Sequence, residues 1–416
     1  MNDDLITGRL LLLMPTTSYR IGDFLEAAER LRVDVAVGSN QRQVLERYSQ
    51  GRTVTLEFKD MIQGVAQIKA YNDDYPLSAV IGVDDETTLI AANASQALSL
   101  PHNDPESVEA TGNKHSFRLR LANSGLLAPR FSLFPVTDDP ERAAQNSFYP
   151  VVLKPLALSA SRGVIRANDS EQFVSAFRRI RTILEDVGTG NETARHILVE
   201  EYVPGDEVSL EGLLDGGHLT VLALFDKPDP MEGPYFEETI YVTPSRLPAD
   251  VQDAITGTAI QALATLGLRE GPVHVEMRIN DKGVWMIEVA ARSIGGLCSR
   301  TLHFGAAGRL EDVVLRHALG LSAPKIEQDR RATGVMMIPI PAAGVLRRVS
   351  GIGAARVLAG IEDVSISIPL GDSLVPVPEG NKYLGFIFAS GDTPEAVEIV
   401  LRLAHNELEF TIEPGG

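Results

Sequence analysis

Residues 273–279 and 284–290 are two strand-like runs separated by Asn280-Asp281-Lys282-Gly283, and their alternation leaves few folds open to the chain. A three-residue loop of Asp281, Lys282 and Gly283 pairs Asn280 with Val284, Ile279 with Trp285, Met277 with Ile287, Glu276 with Glu288 and Val275 with Val289. Val273, Val275, Met277, Ile279, Trp285, Ile287 and Val289 then share one face, wholly apolar, that the fold must cover. The other face carries His274, Glu276, Arg278, Met286, Glu288 and Ala290, with Glu276 directly across from Glu288. Two carboxylates whose β-carbons stand ~4.5–5.5 Å apart repel unless a cation lies between them. Oxygen ligation that leaves room for water and phosphate suits Mg²⁺ better than Zn²⁺. Arg292, on the same face if the strand continues, adds a fixed positive charge for an anion held there. The competing reading is an exposed face of solvated acids with Arg278 or Arg292 as counterions, and spacing does not separate the two.

The 416 residues are enough for two to four domains, and 44% apolar with 23% charged residues is an ordinary globular composition. With 38 Lys and Arg against 56 Asp and Glu, the net charge of −18 repels polyanions. Nucleic acid is therefore not an expected partner, and a phosphate ligand must be held by local cations, amides or metal. A single cysteine, Cys298, excludes an intrachain disulfide and a cysteine metal cage, and fits a reducing cytoplasm. The start, Met1-Asn2-Asp3-Asp4, is acidic where a secretory leader is basic, and no apolar stretch reaches the ~18–20 residues of a membrane helix, so neither export nor a membrane partner is expected.

Residues 9–14, 33–37 and 79–83 read as strands, with helical spacing over 23–31 and 87–98, which predicts a small parallel α/β layer in residues 1–112. Strands at 149–154 and 196–203 flank a helix over 169–186. A hairpin over 207–213 and 219–225 turns at Asp215-Gly216-Gly217, and helices are predicted over 247–266 and 393–408. No G-x-x-x-x-G-K-[ST], G-x-S-x-G or H-E-x-x-H occurs. Gly351-Ile352-Gly353-Ala354-Ala355-Arg356 lacks the third glycine of a dinucleotide fingerprint and reads as a loop.

Along the chain stand Lys114, then Val151-Val152-Leu153-Lys154-Pro155, the small-residue run Ser159-Ala160-Ser161-Arg162-Gly163-Val164, Glu200-Glu201-Tyr202-Val203-Pro204-Gly205-Asp206-Glu207, and the two opposed glutamates. In this order the chain resembles the ATP-grasp superfamily over roughly residues 1–416. The resemblance implies an α/β class: an ATP-grasp fold with a Rossmann-like N-terminal parallel domain (1–112), an ATP-grasp domain (113–330) with a mobile lid lobe at about 126–203, and a C-terminal mixed-sheet subdomain (331–416) that completes the core. It implies ATP and Mg²⁺, one or two ions, with Mn²⁺ able to substitute. Lys114 and Lys154 would then contact phosphates, and the loop of Ser159, Ser161 and Gly163 would cover them with backbone amides. The Glu200 side chain would take the adenine amino group, the backbones of Glu201 and Val203 would bracket the ring edge, Glu207 would bind the ribose, and Glu276 and Glu288 would hold the metal. Taken singly, each lysine reads as a solvated surface charge, and Glu200 and Glu207 as an acidic strand edge. Ala290 stands where the family often has asparagine, so one metal has fewer protein ligands.

Pro234-Tyr235-Phe236-Glu237-Glu238-Thr239, Gly271-Pro272-Val273-His274-Val275-Glu276 and Ile287-Glu288-Val289-Ala290-Ala291-Arg292-Ser293-Ile294-Gly295-Gly296 are similar to segments of the L-amino acid ligases and related carboxylate–amine ligases. That branch implies small-molecule substrates: an amino acid carboxylate activated as an acyl phosphate, and an amine or second amino acid that displaces phosphate. Arg292 would stabilise the γ-phosphate or the acyl phosphate. His274 would orient a substrate or take the amine's proton, the alternative being a hydrogen-bonded structural histidine. Glu237 or Glu238 would meet a substrate ammonium, unless they are surface acids, and Arg292, Ser293, Gly295 and Gly296 would line the substrate site, with Gly296 leaving room for a bulky first substrate. Relatives commonly dimerise, which adds a homodimer as an expectation. Two other readings stay open: a bicarbonate-activating carboxylase of the biotin or purine type, and a non-catalytic nucleotide-binding module.

Overall fold

The computed structural model describes residues 8–16, 18–42, 49–188, 192–322, 324–327 and 331–414. The acidic start read above lies outside these residues. No helix among them is long and apolar enough to cross a membrane.

The first unit is a four-stranded parallel sheet in the order Thr53–Thr55, Asp34–Ser39, Arg9–Leu13, Leu77–Gly82. The unbroken apolar run Leu10 to Leu13 is buried on both faces, as a strand sandwiched between helices requires. Helices Ile21–Leu31, Met61–Asp74 and Asp85–Ala97 supply the cover. The third begins immediately after the sheet's last strand, so Asp84 and Asp85 stand at the strands' carboxyl ends, where open α/β sheets place their ligands.

A second sheet, antiparallel, runs in the order Phe131–Pro135, His196–Glu201, Val151–Pro155, Ile165–Ala167. Helix Ser170–Val187 covers one face through Phe173, Phe177, Ile180 and Leu184. Asp169 caps it by accepting from the Gln172 N–H at 2.9 Å.

The centre is an eight-stranded sheet: Gly283–Ala290, Gly271–Asn280, Asp206–Asp215, His218–Lys227, Ile240–Thr243, Ala332–Ile338, Gly385–Gly391, Ile361–Ile366. Its last three strands come from the C-terminal segment, which is therefore built into the same sheet as the opposed glutamates. Helices Lys114–Leu121 and Ala249–Leu266 cover one face at the hairpin end, burying Phe117, Leu121, Ile255 and Leu263 against Val275, Met277, Met286 and Val289. Helix Leu310–Ala318 packs across to the N-terminal unit. A small sheet of Ser373–Leu374, Gly344–Ser350 and Glu409–Glu413 closes the chain. Residues 351–356, read above as a loop, are instead a short helix, Ile352–Arg356, entered through Gly351 at φ 83°.

The hairpin departs from its predicted register near the turn. Asn280 pairs with Gly283, so the loop is the two residues Asp281 and Lys282, and Met277 pairs with Met286. A bulge follows, and beyond it Glu276 faces Glu288 and Val275 faces Val289, as counted from the sequence. The shift and the bulge cancel. Their consequence is that Val284 and Met286 join Val289 in the core under the helices, whereas Ile287, predicted on the apolar face, does not, and Trp285 is buried apart from that cluster. Ile287 instead turns to the cleft beside Glu288.

Candidate active site

The three sheets enclose a cleft of about 320 Å³. The lid sheet contributes Lys154, Glu200, Glu201 and Val203, the loop after its central strand contributes Ser159 and Ser161, and the helix after Asn113 contributes Lys114. The central sheet contributes Glu207, Glu238, His274, Glu276 and Glu288, and the segment beyond it Arg292, Gly295 and Gly296. Three predicted residues are not on the cleft wall. Glu237 lies beside Glu238 but outside the cleft, where burial raises its pKa. The Ser293 hydroxyl is buried and accepts from Arg20 Nη2 at 2.8 Å. The Gly163 N–H donates to the Pro378 carbonyl at 2.8 Å, so that amide is not free for a phosphate.

Glu200 carries the tightest cationic surroundings. Arg118 reaches it side-on, Nε to Oε1 at 2.6 Å and Nη2 to Oε2 at 3.2 Å, and Lys154 Nζ lies 2.7 Å from Oε2. Burial opposes its ionisation, yet these two cations hold its pKa at about 2. The same Arg118 donates to the carbonyls of Met286 at 3.3 Å and Ile287 at 2.8 Å, tying the Glu200 carboxylate to the hairpin bulge. Val203 is buried, its carbonyl accepts from Arg278 Nη1 at 2.7 Å, and its N–H has no acceptor among the described residues. That leaves one backbone donor at the cleft wall to read a heterocycle edge.

Glu207 sits between Lys227 Nζ at 2.8 Å and Arg278 Nε at 2.8 Å. Lys227 also contacts Glu238 closely and stands 3.5 Å from Glu276 Oε2. Glu238 in turn accepts from the Tyr241 hydroxyl at 2.6 Å. Expected to meet a substrate ammonium, Glu238 is thus already paired with a cation of the chain itself.

Both ring nitrogens of His274 face carboxylates: Nδ1 is 3.1 Å from Glu211 and Nε2 is 3.3 Å from Glu276. Burial alone would lower its pKa, but those hydrogen bonds outweigh it and push it up to about 9. Neither nitrogen is open to accept the amine's proton as expected. Glu211, fully buried, also accepts from the Ile294 N–H, so one carboxylate orients both His274 and the loop after Arg292. Arg292 forms a side-on pair with Asp85, Nε–Oδ1 and Nη2–Oδ2 both at 2.7 Å.

Lys114 Nζ donates to the Leu158 carbonyl at 2.9 Å and lies 3.5 Å from Glu288 Oε2. The donor set fits a hard divalent ion. Glu276 and Glu288 are opposed in register, and their own ion pairs, at 3.3–3.5 Å, are looser than direct charge-assisted bonds. Ala290, paired with His274, offers no third donor.

Arg118, Lys227, Glu211 and Asp85 were not singled out by the sequence. Arg118 carried one signal, its place one turn after Lys114 on a helix facing the cleft. Lys227 carried a false one: counting from Asp215 and His218 sets Asp226 opposite Glu207, and only the irregularity between Val221 and Ala223 puts Lys227 there.

A family model of the ATP-grasp domain matches residues 147–301, one of the ATP-grasp N-terminal domain matches 25–102, and one of the L-amino acid ligase C-terminal domain 2 matches 336–413. With the lid, the central sheet and the two-lysine, two-glutamate cleft already in place, the chain belongs to the ATP-grasp superfamily. Dapdiamide A synthase of Enterobacter agglomerans is 27% identical over 64% of this chain and 64% of its own. Alanine–anticapsin ligase of Bacillus subtilis is 26% identical over 49% of this chain and 46% of its own. These alignments span between about half and two thirds of the ligases' lengths. The L-amino acid ligase of Bacillus licheniformis superposes with a TM-score of 0.81 over 98% of this chain and 99% of its own, at 24% identity. Residues 336–413 and these partial alignments make the chain similar to the carboxylate–amine ligases, the L-amino acid ligases among them.

Proposed function

We propose that this protein joins an amino acid carboxylate to the amine of a second amino acid at the expense of ATP, releasing ADP and phosphate. The observation that carries the reading is Glu276 opposed to Glu288 in one cleft with Lys114, Lys154, Glu200, Glu207 and Arg292. A carboxylate oxygen of the first substrate attacks the γ-phosphorus, the bond to ADP breaks, the amine then attacks the acyl carbon, and phosphate leaves as the amine gives up a proton. Such a step needs charge neutralisation and alignment rather than a protein nucleophile. Glu276 and Glu288 would hold one Mg²⁺, which when bound neutralises phosphate charge. Lys114 and Lys154 flank the phosphate path, Glu207 and the Val203 N–H suit ribose and adenine, and Arg292 suits the transferred phosphoryl group. His274, clamped by Glu211, would position Glu276 rather than move a proton. The lid excludes water that would hydrolyse the acyl phosphate. A single buried cysteine fits a reducing cytoplasm.

Carboxylases share this fold, but the match of residues 336–413 to a ligase C-terminal domain supports the amide-forming reading. The test is a phosphate-release screen of all amino acids, singly and in pairs, with mass detection of condensed products. A condensed product that disappears in Glu288→Gln supports the reading. Phosphate release driven by bicarbonate alone, or unaltered by Glu288→Gln, overturns it.

A further inference from the structure

Glu207, Glu238 and Glu276 each offer a carboxylate oxygen, and these oxygens lie within 4.8 Å of one another, close enough to hold a divalent ion. The three belong to different strands or their ends, yet they converge because Lys227 stands among them. Its side chain is 3% exposed, its Nζ is 2.8 Å from Glu207 Oε1 and 3.5 Å from Glu276 Oε2, and it contacts Glu238 closely. An ammonium has three protons, and here three carboxylates surround it, so none is left for a phosphate. Held at 2.8 Å from Glu207 and 3.5 Å from Glu276, the ammonium occupies the centre that a divalent ion, with oxygens at about 2.0–2.1 Å, would need for itself. Two cations within one such cage would repel.

We propose that Lys227 is a built-in cation that fills the Glu207–Glu238–Glu276 cage, keeps divalent metal out of it, and so confines metal to the Glu276–Glu288 side of Glu276. Lys227 is a positioning residue on this view. It fixes Glu207 toward the nucleotide end and Glu238 toward the substrate end through one shared charge, and it leaves Glu276 with one oxygen facing His274 and the other only loosely paired. The inference rests on the metal reading given under Proposed function.

The experiment is titration of Mn²⁺ in the presence of ADP, followed by calorimetry and by the spin-resonance signal of free Mn²⁺, on the full chain and four variants. Glu288→Gln tests the metal reading itself: its Mn²⁺ affinity falls at least tenfold if that reading holds. Glu238→Gln tests the cage: its Mn²⁺ stoichiometry and affinity stay within twofold of the parent chain. Lys227→Met, compact in size and without charge, gains one Mn²⁺ per chain, and Lys227→Arg does not. Loss of Mn²⁺ in Glu238→Gln comparable to that in Glu288→Gln overturns the proposal, as does a folded Lys227→Met with unchanged stoichiometry. Should Lys227→Met fail to fold, Glu238→Gln decides alone, since it removes a cage ligand without stranding the lysine, which keeps Glu207 and Glu276.

Discussion

Arg179, on the lid helix, and Glu379, two hundred residues later in the C-terminal segment, form a side-on pair with Nε–Oε1 at 2.5 Å and Nη2–Oε2 at 2.8 Å. Arg179 also meets the Tyr235 hydroxyl, and the Gly163 N–H donates to the Pro378 carbonyl one residue away from Glu379. The second sheet and its helix are therefore tied to the segment that completes the central sheet, a tie that on the proposed function holds the lid over the cleft. Both partners are partly exposed, so the pair is worth no more than about 1 kcal/mol. Arg179→Ala or Glu379→Ala should raise the KM for ATP by up to about fivefold with little change in Tm. A double-mutant cycle on KM checks this. Additive single effects would show that the pair does not act on the lid.

Arg118 makes the largest structural prediction. It is 2% exposed and serves Glu200 and two bulge carbonyls at once. Removing it leaves the buried carboxylate with Lys154 alone and two bulge carbonyls without their donor, which costs about 3 kcal/mol. Arg118→Ala should thus unfold at much lower urea concentration than Lys154→Met, because Lys154 removal leaves Glu200 its side-on partner. Equal midpoints for the two variants would show that Arg118 is not the keystone of this wall of the cleft.

Glu200 also sets an acid limit. Its pKa drops from 4.5 in a free chain to about 2 in the fold, so its contribution, about 3 kcal/mol, is complete above pH 4.5 and is lost as pH falls toward 2. Between pH 6 and pH 3 the parent chain should lose stability more steeply than Glu200→Gln, by the uptake of one proton on unfolding. Urea midpoints measured across that range check the sign. Parallel curves would mean that Glu200 is not held ionised in the fold.

Glu276 and Glu288 were legible in the sequence for a reason partly accidental. The loop is one residue shorter than its glycine suggests, and a bulge at Ile287 restores the pairing, so the count survives two opposite errors. Alternation marked the strands, and unbroken apolar runs marked the parallel layer, because both patterns record which face is buried. What alternation cannot record is an extra residue, and extra residues decided where Ile287 points and that Lys227, not Asp226, meets Glu207. Nor can it record partners brought together by tertiary closure: Arg118 with Glu200, Glu211 with His274, Asp85 with Arg292. The short segments Thr53–Thr55 and Met61–Asp74 were missed for a simpler reason, since three half-buried residues and a weakly amphipathic helix carry little periodic signal.

The Asp85–Arg292 pair bears on the chemistry itself. Asp85 engages Nε and one Nη2 proton, and the Ser293 carbonyl accepts from Nη1 at 3.0 Å, so three of the five guanidinium protons are committed and two remain. Their common plane is fixed by the side-on pair, as a fork aimed at an oxyanion must be. Asp85→Asn keeps the shape but replaces one acceptor oxygen with a donor, so the plane loosens while the charge on Arg292 persists. On the proposed reaction kcat should fall about tenfold with the KM for ATP unchanged within about twofold, since misaligning a positioned group by about an ångström costs rate rather than binding. Arg292→Lys, which keeps charge but has no fork, should lose about a hundredfold or more in kcat. Steady-state kinetics on both variants measure this. A loss confined to KM, or an Asp85→Asn enzyme with the parent kcat, would remove Arg292 from the phosphoryl step and leave the pair as a tie between the N-terminal unit and the cleft.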